Sequence, residues 1–188
     1  MLTESLKELG ISTGGNIPIS ELLSENFNGS LHGLNDRQMK RIHALRDIIS
    51  EYAKARTLSM KASAITNSGQ AAEILGPAMR TLEHEEAWAI FLNNNNSVIK
   101  TEMLSSGTQT STMLSVKSIV SKALSLSACG IILAHNHPSG IVTPSKEDIK
   151  RTEALKKACE TMELYLTDHL IISGDSYYSF SDEQTHKF

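Results

Sequence analysis

Two histidines, a serine and an aspartate stand at His135, His137, Ser145 and Asp148, close enough along the chain to meet around one divalent ion. Neutral imidazoles with a carboxylate suit Zn2+, and three protein ligands with the fourth position left to water mark a catalytic rather than a structural zinc site. Zinc lowers the pKa of such a water from about 15.7 toward ~7, which equips the centre to hydrolyse a polarised carbonyl at neutral pH. A general base must then stand within hydrogen-bond reach of that water.

The neighbouring residues say how the four would be positioned. Ile131-Ile132-Leu133-Ala134 is a short apolar run behind Gly130 and reads as a buried strand. Side chains at i and i+2 of an extended chain project to the same side, so His135 and His137 emerge together at its C-terminal end, where open α/β sheets bind ligands. Pro138 and Ser139-Gly140 stop the strand and open a loop. Pro144-Ser145-Lys146-Glu147-Asp148 reads as a helix start, with Asp148 in the first turn facing back toward the imidazoles. Ser145 and Asp148 alone would be an ordinary helix cap, and the histidines alone ordinary loop residues. Their conjunction in strand, turn, helix order is what points to a metal. Ser145 fits both roles, capping through a lone pair and facing the site with its proton.

His135-x-His137-x7-Ser145-x-x-Asp148 resembles the JAMM metal motif of the JAB/MPN metallopeptidases. His-Asn-His-Pro-Ser-Gly with Thr143-Pro144-Ser145 resembles its bacterial RadC branch. Glu83-His84-Glu85-Glu86 before Ala87-Trp88-Ala89-Ile90-Phe91-Leu92-Asn93, then Ser106-Gly107-Thr108 and Asp168-His169-Leu170-Ile171-Ile172, are similar to RadC landmarks in the same order. The resemblance covers about the last two-thirds of the chain. It implies an α/β fold, a three-layer α/β/α cytidine-deaminase-like JAB/MPN domain, in which His135, His137 and Asp148 bind zinc and Ser145 stabilises the oxyanion. It also implies a catalytic glutamate on an upstream element. Glu85 is preferred because its offset to the Ile90-Phe91-Leu92 strand fits the RadC pattern best, and Glu86 is the runner-up. If the strand begins by Ala87, Glu83 and Glu85 share one face and Glu86 takes the other, so only one parity can serve the site. The plain alternative for these acids is a solvated strand entrance.

The chain departs from the RadC pattern at Val116-Lys117-Ser118, which replaces a Pro-Arg-Glu triplet. Leu114, Val116, Ile119, Val120, Ala123 and Leu124 still give the apolar stripe of a helix. Ile141-Val142 makes the expected rim of the site more apolar than in its relatives. Asp168-His169 lies within an apolar strand and must find hydrogen-bond partners. A structural pair is the first reading, and a group orienting a zinc ligand is the second.

The first third reads as a separate helical module, with domains expected at 1–66 and 67–188. Asn35-Asp36 caps a helix through Ala55, shorter helices run near Thr3 to Leu9 and Ile19 to Glu25, and Gly14-Gly15-Asn16 and Asn28-Gly29 punctuate them. Ser68 to Arg80 opens the second domain as a helix interrupted or ended near Gly76-Pro77. Asn93 to Asn96 reads as a hairpin turn. RadC relatives often carry a DNA-binding helix-hairpin-helix in the first third, with a Gly-x-Gly hairpin. Here Gly33-Leu34-Asn35 makes that motif degenerate, since backbone amides approach phosphate best past glycine. Arg37, Lys40, Arg41 and Arg46 form a modest basic patch, but a net charge of −3 predicts no more than a weak DNA association.

The 188 residues, 40% hydrophobic, support one good core and a small appended unit. No run is apolar enough to cross a bilayer, and Met1-Leu2-Thr3-Glu4-Ser5 lacks a signal-peptide pattern, so a cytoplasmic location is expected. Cys129 and Cys159 read as reduced, buried thiols. The best functional class is a zinc-dependent hydrolase, a metallopeptidase or isopeptidase acting on a peptide or protein. The alternative is a DNA-repair-associated DNA-binding or nuclease protein. A nucleobase deaminase is disfavoured because it needs His-x-Glu with a distant Pro-Cys-x-x-Cys, which this chain lacks.

Overall fold

The computed structural model describes residues 2–11, 17, 19–22, 27–59, 64–107 and 115–188. They fall into two compact units, Met1–Ala53 and Lys54–Phe188.

The larger unit is built on a six-stranded sheet. Its elements in chain order, after the end of the long helix α3 (Asp36–Ser59), are α4 (Ser68–Met79), β1 (Glu86–Leu92), β2 (Val98–Ser106), α5 (Val116–Ser125), β3 (Gly130–Asn136), α6 (Lys146–Thr161), β4 (Tyr165–Ser173), β5 (Ser176–Ser179) and β6 (Gln184–Lys187). The strand order is β2-β1-β3-β4-β5-β6. Only β3 and β4 run parallel, joined across α6, and every other neighbouring pair is antiparallel. Both faces are covered. Trp88, Ile90 and Leu92 of β1 and Ile132 and Ala134 of β3 pack with Leu75 and Met79 of α4. The alternate residues Ala87, Ala89, Phe91, Ile131 and Leu133 pack with Ile119 and Ala123 of α5 and Leu155 and Cys159 of α6. Strands covered on both sides are apolar on both faces through their middles, which is why 87–92 and 131–134 read as continuous runs rather than alternating ones.

Local chemistry sets the boundaries. Asn67 caps α4 by accepting from the Gln70 amide at 2.9 Å. Helix α4 runs through Pro77 and ends at Met79, so of the interruption or end expected near Gly76-Pro77 it shows the end, two residues on. Proline there removes one hydrogen bond in the last turn only, and the Arg80 amide still closes the helix on Gly76 O at 2.9 Å. Between β1 and β2 the Asn93 side chain accepts from the amides of Asn95 (2.9 Å) and Ser97 (3.0 Å), with Asn96 at φ 57°, so the run is the hairpin turn its residues suggest.

The smaller unit contains α1 (Leu2–Glu8), α2 (Ile19–Leu22), a 3-10 turn (Gly29–His32) and the greater part of α3. Its own core gathers Leu6, Ile11, Ile17, Leu22, Phe27, Leu34 and Ile42. Asn35 and Gln38 cap α3 reciprocally, each side chain accepting from the other's amide at 3.0 Å. Asn35 is therefore a helix cap, while Gly33 takes the left-handed conformation at φ 69°. Two of the four cations assigned to a basic patch are used internally. Arg41 donates to Leu9 O and Gly10 O at 2.9 and 3.0 Å, and Arg46 to Leu22 O at 2.9 Å. By contacts the chain divides inside α3, since Lys54 and Thr57 at the end of that helix bond to Glu86 and Ile74 O. The expected punctuation at Gly14-Gly15-Asn16, the end of the second short helix at Glu25 and the stripe residue Leu114 lie outside the described residues. Among the described residues no helix is long and apolar enough to cross a membrane.

Candidate metal centre

The C-terminal end of β3, the entrance to β1 and the first turn of α6 meet at one place. His135 lies within β3 and is 5% exposed, and His137 follows immediately after the strand. Their Nε2 atoms are 3.0 Å apart. Asp148 Oδ1 is 3.2 Å from His135 Nε2, and Asp148 Oδ2 is 3.6 Å from His137 Nε2. The structure thus brings together His135, His137 and Asp148, each offering one donor atom within 4.8 Å of the others. It also places Ser145 at the cap beside them.

Each donor is held from behind. The His137 amide donates to Ile172 O at 3.0 Å, and Ser173 Oγ donates to His137 O at 2.7 Å, so β4 pins the backbone just past β3. The loop then folds back through Gly140, at φ 84°, whose amide donates to His137 O at 3.2 Å. This return lets His137 Nδ1–H donate to Ile141 O at 2.7 Å, leaving Nε2 as the inward atom. Asp148 is the third residue of α6 and closes a capping box with Ser145. Its Oδ2 accepts from the Ser145 amide at 2.8 Å and from Ser145 Oγ at 2.5 Å. The Ser145 proton expected to face the site is therefore directed at the Asp148 carboxylate.

These contacts decide the charges. Burial pushes the Asp148 carboxyl up, but hydrogen bonds from His135, His137 and Ser145 outweigh it and hold the group far below the usual carboxylate range. The bond to Asp148 raises His137 against the opposing effect of its burial, with smaller help from Ile141 O and the charge of Glu85. Two imidazole nitrogens and an ionised carboxylate, converging with their other polar atoms already engaged, are a donor set that fits zinc.

The two candidate glutamates part company. Ala87 pairs with His135 across the antiparallel β1–β3 ladder, so the chain entering β1 carries Glu85 toward the level of His137. Glu85 has the parity of Ala87, whose face packs against the α5 and α6 side, and it is half-buried. Glu86 has the parity of Trp88, on the α4 side. It is 1% exposed, and both of its oxygens are engaged: Oε1 by Lys54 Nζ (2.8 Å), His84 Nε2 (3.0 Å) and Ser106 Oγ (3.2 Å), Oε2 by Trp88 Nε1 (3.0 Å). Burial would raise its carboxyl, and the donors led by Lys54 and Trp88 hold it below its ordinary value instead. Glu86 is a structural anion.

Asn136, between the two histidines, was overlooked by sequence reasoning. Its side chain faces away from them, accepting from the Glu86 amide at 2.7 Å and donating to His84 O at 2.9 Å, so it fixes where β1 begins and with it the position of Glu85. The Asp168-His169 pair also divides. Asp168 turns to the β5 end, accepting from Ser179 Oγ (2.7 Å) and the Ser181 amide (3.0 Å), and burial raises its carboxyl above the usual range. His169 Nε2 lies 2.9 Å from His135 Nδ1, and its Nδ1 lies 2.6 Å from Thr152 Oγ1. Thr152, also overlooked, stands four residues after Asp148, a helical spacing that could have signalled it. Of the two cysteines, Cys159 is buried, its thiol pushed up to about 11 by that burial, whereas Cys129 is only half-buried.

Residues 65–185 match the RadC-like JAB domain. The chain is 43% identical over 124 residues to a UPF0758 protein of Flavobacterium johnsoniae, a match spanning 66% of this chain and 54% of that protein. It is 37% identical over 160 residues to a UPF0758 protein of Porphyromonas gingivalis, spanning 85% and 70%. With the UPF0758 protein YeeS of Escherichia coli it shares 40% identity over 119 residues, 63% of this chain and 80% of that one. The matched stretch thus covers little more than half of the first relative and more of the others. A domain match over residues 65–185 and relatives of this similarity, together with a mixed sheet layered between helices, place the chain in the RadC family of JAB-domain proteins.

Proposed function

We propose that the chain is a zinc-dependent hydrolase of amide or isopeptide bonds, a metallopeptidase-like member of its family. The observation that carries the reading is the convergence of His135 Nε2, His137 Nε2 and the Asp148 carboxylate, with Glu85 on the same side of the sheet. These three residues would hold the ion, and bound zinc would supply Lewis acidity toward a water molecule and a substrate carbonyl.

Glu85 takes the proton from the attacking water and returns it to the leaving nitrogen, a role that suits a half-buried carboxylate not tied into the Glu86 cluster. Ser145 Oγ has two tasks. In the resting arrangement it orients Asp148 by donating to Oδ2, and its hydroxyl turns to the oxyanion as negative charge develops there. Of the expected rim residues Ile141-Val142, Ile141 is 60% exposed four residues after His137 and supplies the apolar rim, while Val142 is buried. The substrate proposed is a peptide or protein. Any DNA association falls to the smaller unit, where Arg37 and Lys40 are the patch residues left after Arg41 and Arg46 bond to carbonyls.

Elemental mass spectrometry and a peptide and isopeptide hydrolysis screen test the reading together. Wild type is expected to carry near-stoichiometric zinc, which His137→Ala and Asp148→Ala lose. At equal zinc content Glu85→Gln is expected to lower turnover by about 10²–10⁴-fold. Undiminished turnover in that variant would rule out Glu85, and a wild type that cannot be loaded would rule out the centre.

A further inference from the structure

The imidazole of His169 is 1% exposed and stacks on Phe180 at 4.8 Å between centroids and 7° between planes, so its orientation is set. The hydrogen bonds around it can be counted proton by proton. Thr152 Oγ1 lies 2.6 Å from Asp148 O, a carbonyl that can only accept, and this contact uses the hydroxyl's one proton. Toward His169 Nδ1, also at 2.6 Å, Thr152 can then only accept, so Nδ1 carries hydrogen. A second ring proton would make a buried cation, and the polar partners of this ring are Thr152 and His135, neither an anion. His169 Nε2 is therefore an acceptor, and the 2.9 Å contact to His135 is made by His135 Nδ1–H.

We propose that Thr152 and His169 are positioning residues that keep a proton on His135 Nδ1, so that Nε2 is the ring atom presented to His137 and Asp148. The relay begins at the backbone carbonyl of Asp148 and ends at the ring of His135, so it couples two of the three donors through α6 and β4. It explains why a polar His-Thr pair lies beneath an apolar strand, and why Asp168, one residue away, takes no part. The proposal rests on the zinc reading for its purpose, but the proton on His135 Nδ1 does not depend on metal.

The test uses the full chain. Ring nitrogen NMR of 15N-histidine-labelled, zinc-free protein is expected to show His135 protonated at Nδ1 in wild type and in Thr152→Ser. In Thr152→Val the acceptor is gone, so the His169 proton is expected to move to Nε2 and the His135 proton with it. Zinc affinity, read by chelator competition, should fall about 10- to 100-fold in Thr152→Val and His169→Phe and stay within about twofold in Thr152→Ser. A merely structural role would lower melting temperature without moving the ring proton. Wild-type His135 without a proton at Nδ1, or Thr152→Val retaining both the wild-type Nδ1 proton and affinity, overturns the relay. Wild type that binds no zinc sinks the reading of the centre alone, since the NMR result still decides the relay.

Discussion

Lys54→Met isolates the buried Glu86 carboxylate, and the structure gives both the size and the pH dependence of the result. Lys54 Nζ sits 2.8 Å from Glu86 Oε1, with the two side chains 18% and 1% exposed. Removing one partner of a fully buried pair typically costs about 3–5 kcal/mol, because an uncompensated charge stays behind. Here Trp88 Nε1 and His84 Nε2 remain bonded to the carboxylate and Lys54 is partly solvated, so about 2–3 kcal/mol is expected at pH 7. For a unit of this size that is a fall of roughly 6–9 °C in melting temperature. In wild type the folded-state pKa of Glu86 is below its ordinary 4.5, so its contribution is complete above that value and lost as pH falls through the folded pKa. Without Lys54 burial prevails and the folded pKa rises. The deficit between the two proteins should therefore be largest at neutral pH and shrink as the variant protonates toward pH 4. Thermal melts across pH 4–7 read this directly. Trp88, the only tryptophan of the chain, reports the same carboxylate through its emission, since it donates to Oε2. A deficit under about 0.5 kcal/mol, or one that stays constant from pH 7 to pH 4, would refute the ion-pair account.

Other outcomes follow from the same contacts. Ser145→Ala should cost about 1 kcal/mol of stability by removing the α6 cap, read by urea unfolding, and should also weaken zinc binding by freeing Asp148. In chelated protein the raised His137 pKa contributes stability that is full below its ordinary 6.5 and lost as pH rises through the folded value. Zinc needs the neutral ring, so the gain in melting temperature on adding zinc should grow from pH 6 to pH 8. Arg41→Ala should destabilise the smaller unit, since its guanidinium holds Leu9 O and Gly10 O. By contrast, Arg37→Ala with Lys40→Ala should leave the melt unchanged and lower the salt slope of any DNA binding by about two.

What could be read from the sequence was local. His135 and His137 share a side because extended chain repeats every two residues, and Ser145 and Asp148 meet because a capping box spans one helical turn. The apolar runs 87–92 and 131–134 were legible too, since burial on both faces favours an apolar residue at successive positions. The choice between Glu85 and Glu86 was not local. It depends on where β1 begins, and that is set by Asn136 bonding to the Glu86 amide from fifty residues away. His169 was readable as a buried polar residue needing partners, but its partner His135 follows from the β3–β4 register, which no periodicity within either strand contains.

The polar residues buried near the centre also act against mispairing. Along β3, His135 points to the α5 and α6 side with Ile131 and Leu133, while Asn136 has the parity of Ile132 and Ala134 on the α4 side. Along the entrance of β1, Glu85 and Glu86 divide in the same way. A slip of one residue between these strands would turn every side chain of the moving strand to the opposite face. The apolar residues would tolerate that exchange poorly but not decisively, since both faces are covered by helices and most positions are aliphatic. The polar ones would not tolerate it, because Glu86 would leave Lys54, and Asn136 would leave the His84 carbonyl and the Glu86 amide. Each loss strands a buried polar group at about 1–3 kcal/mol, more for the carboxylate. The Lys54–Glu86 pair and Asn136, on the α4 side, thus set the register that carries Glu85 toward the level of His137.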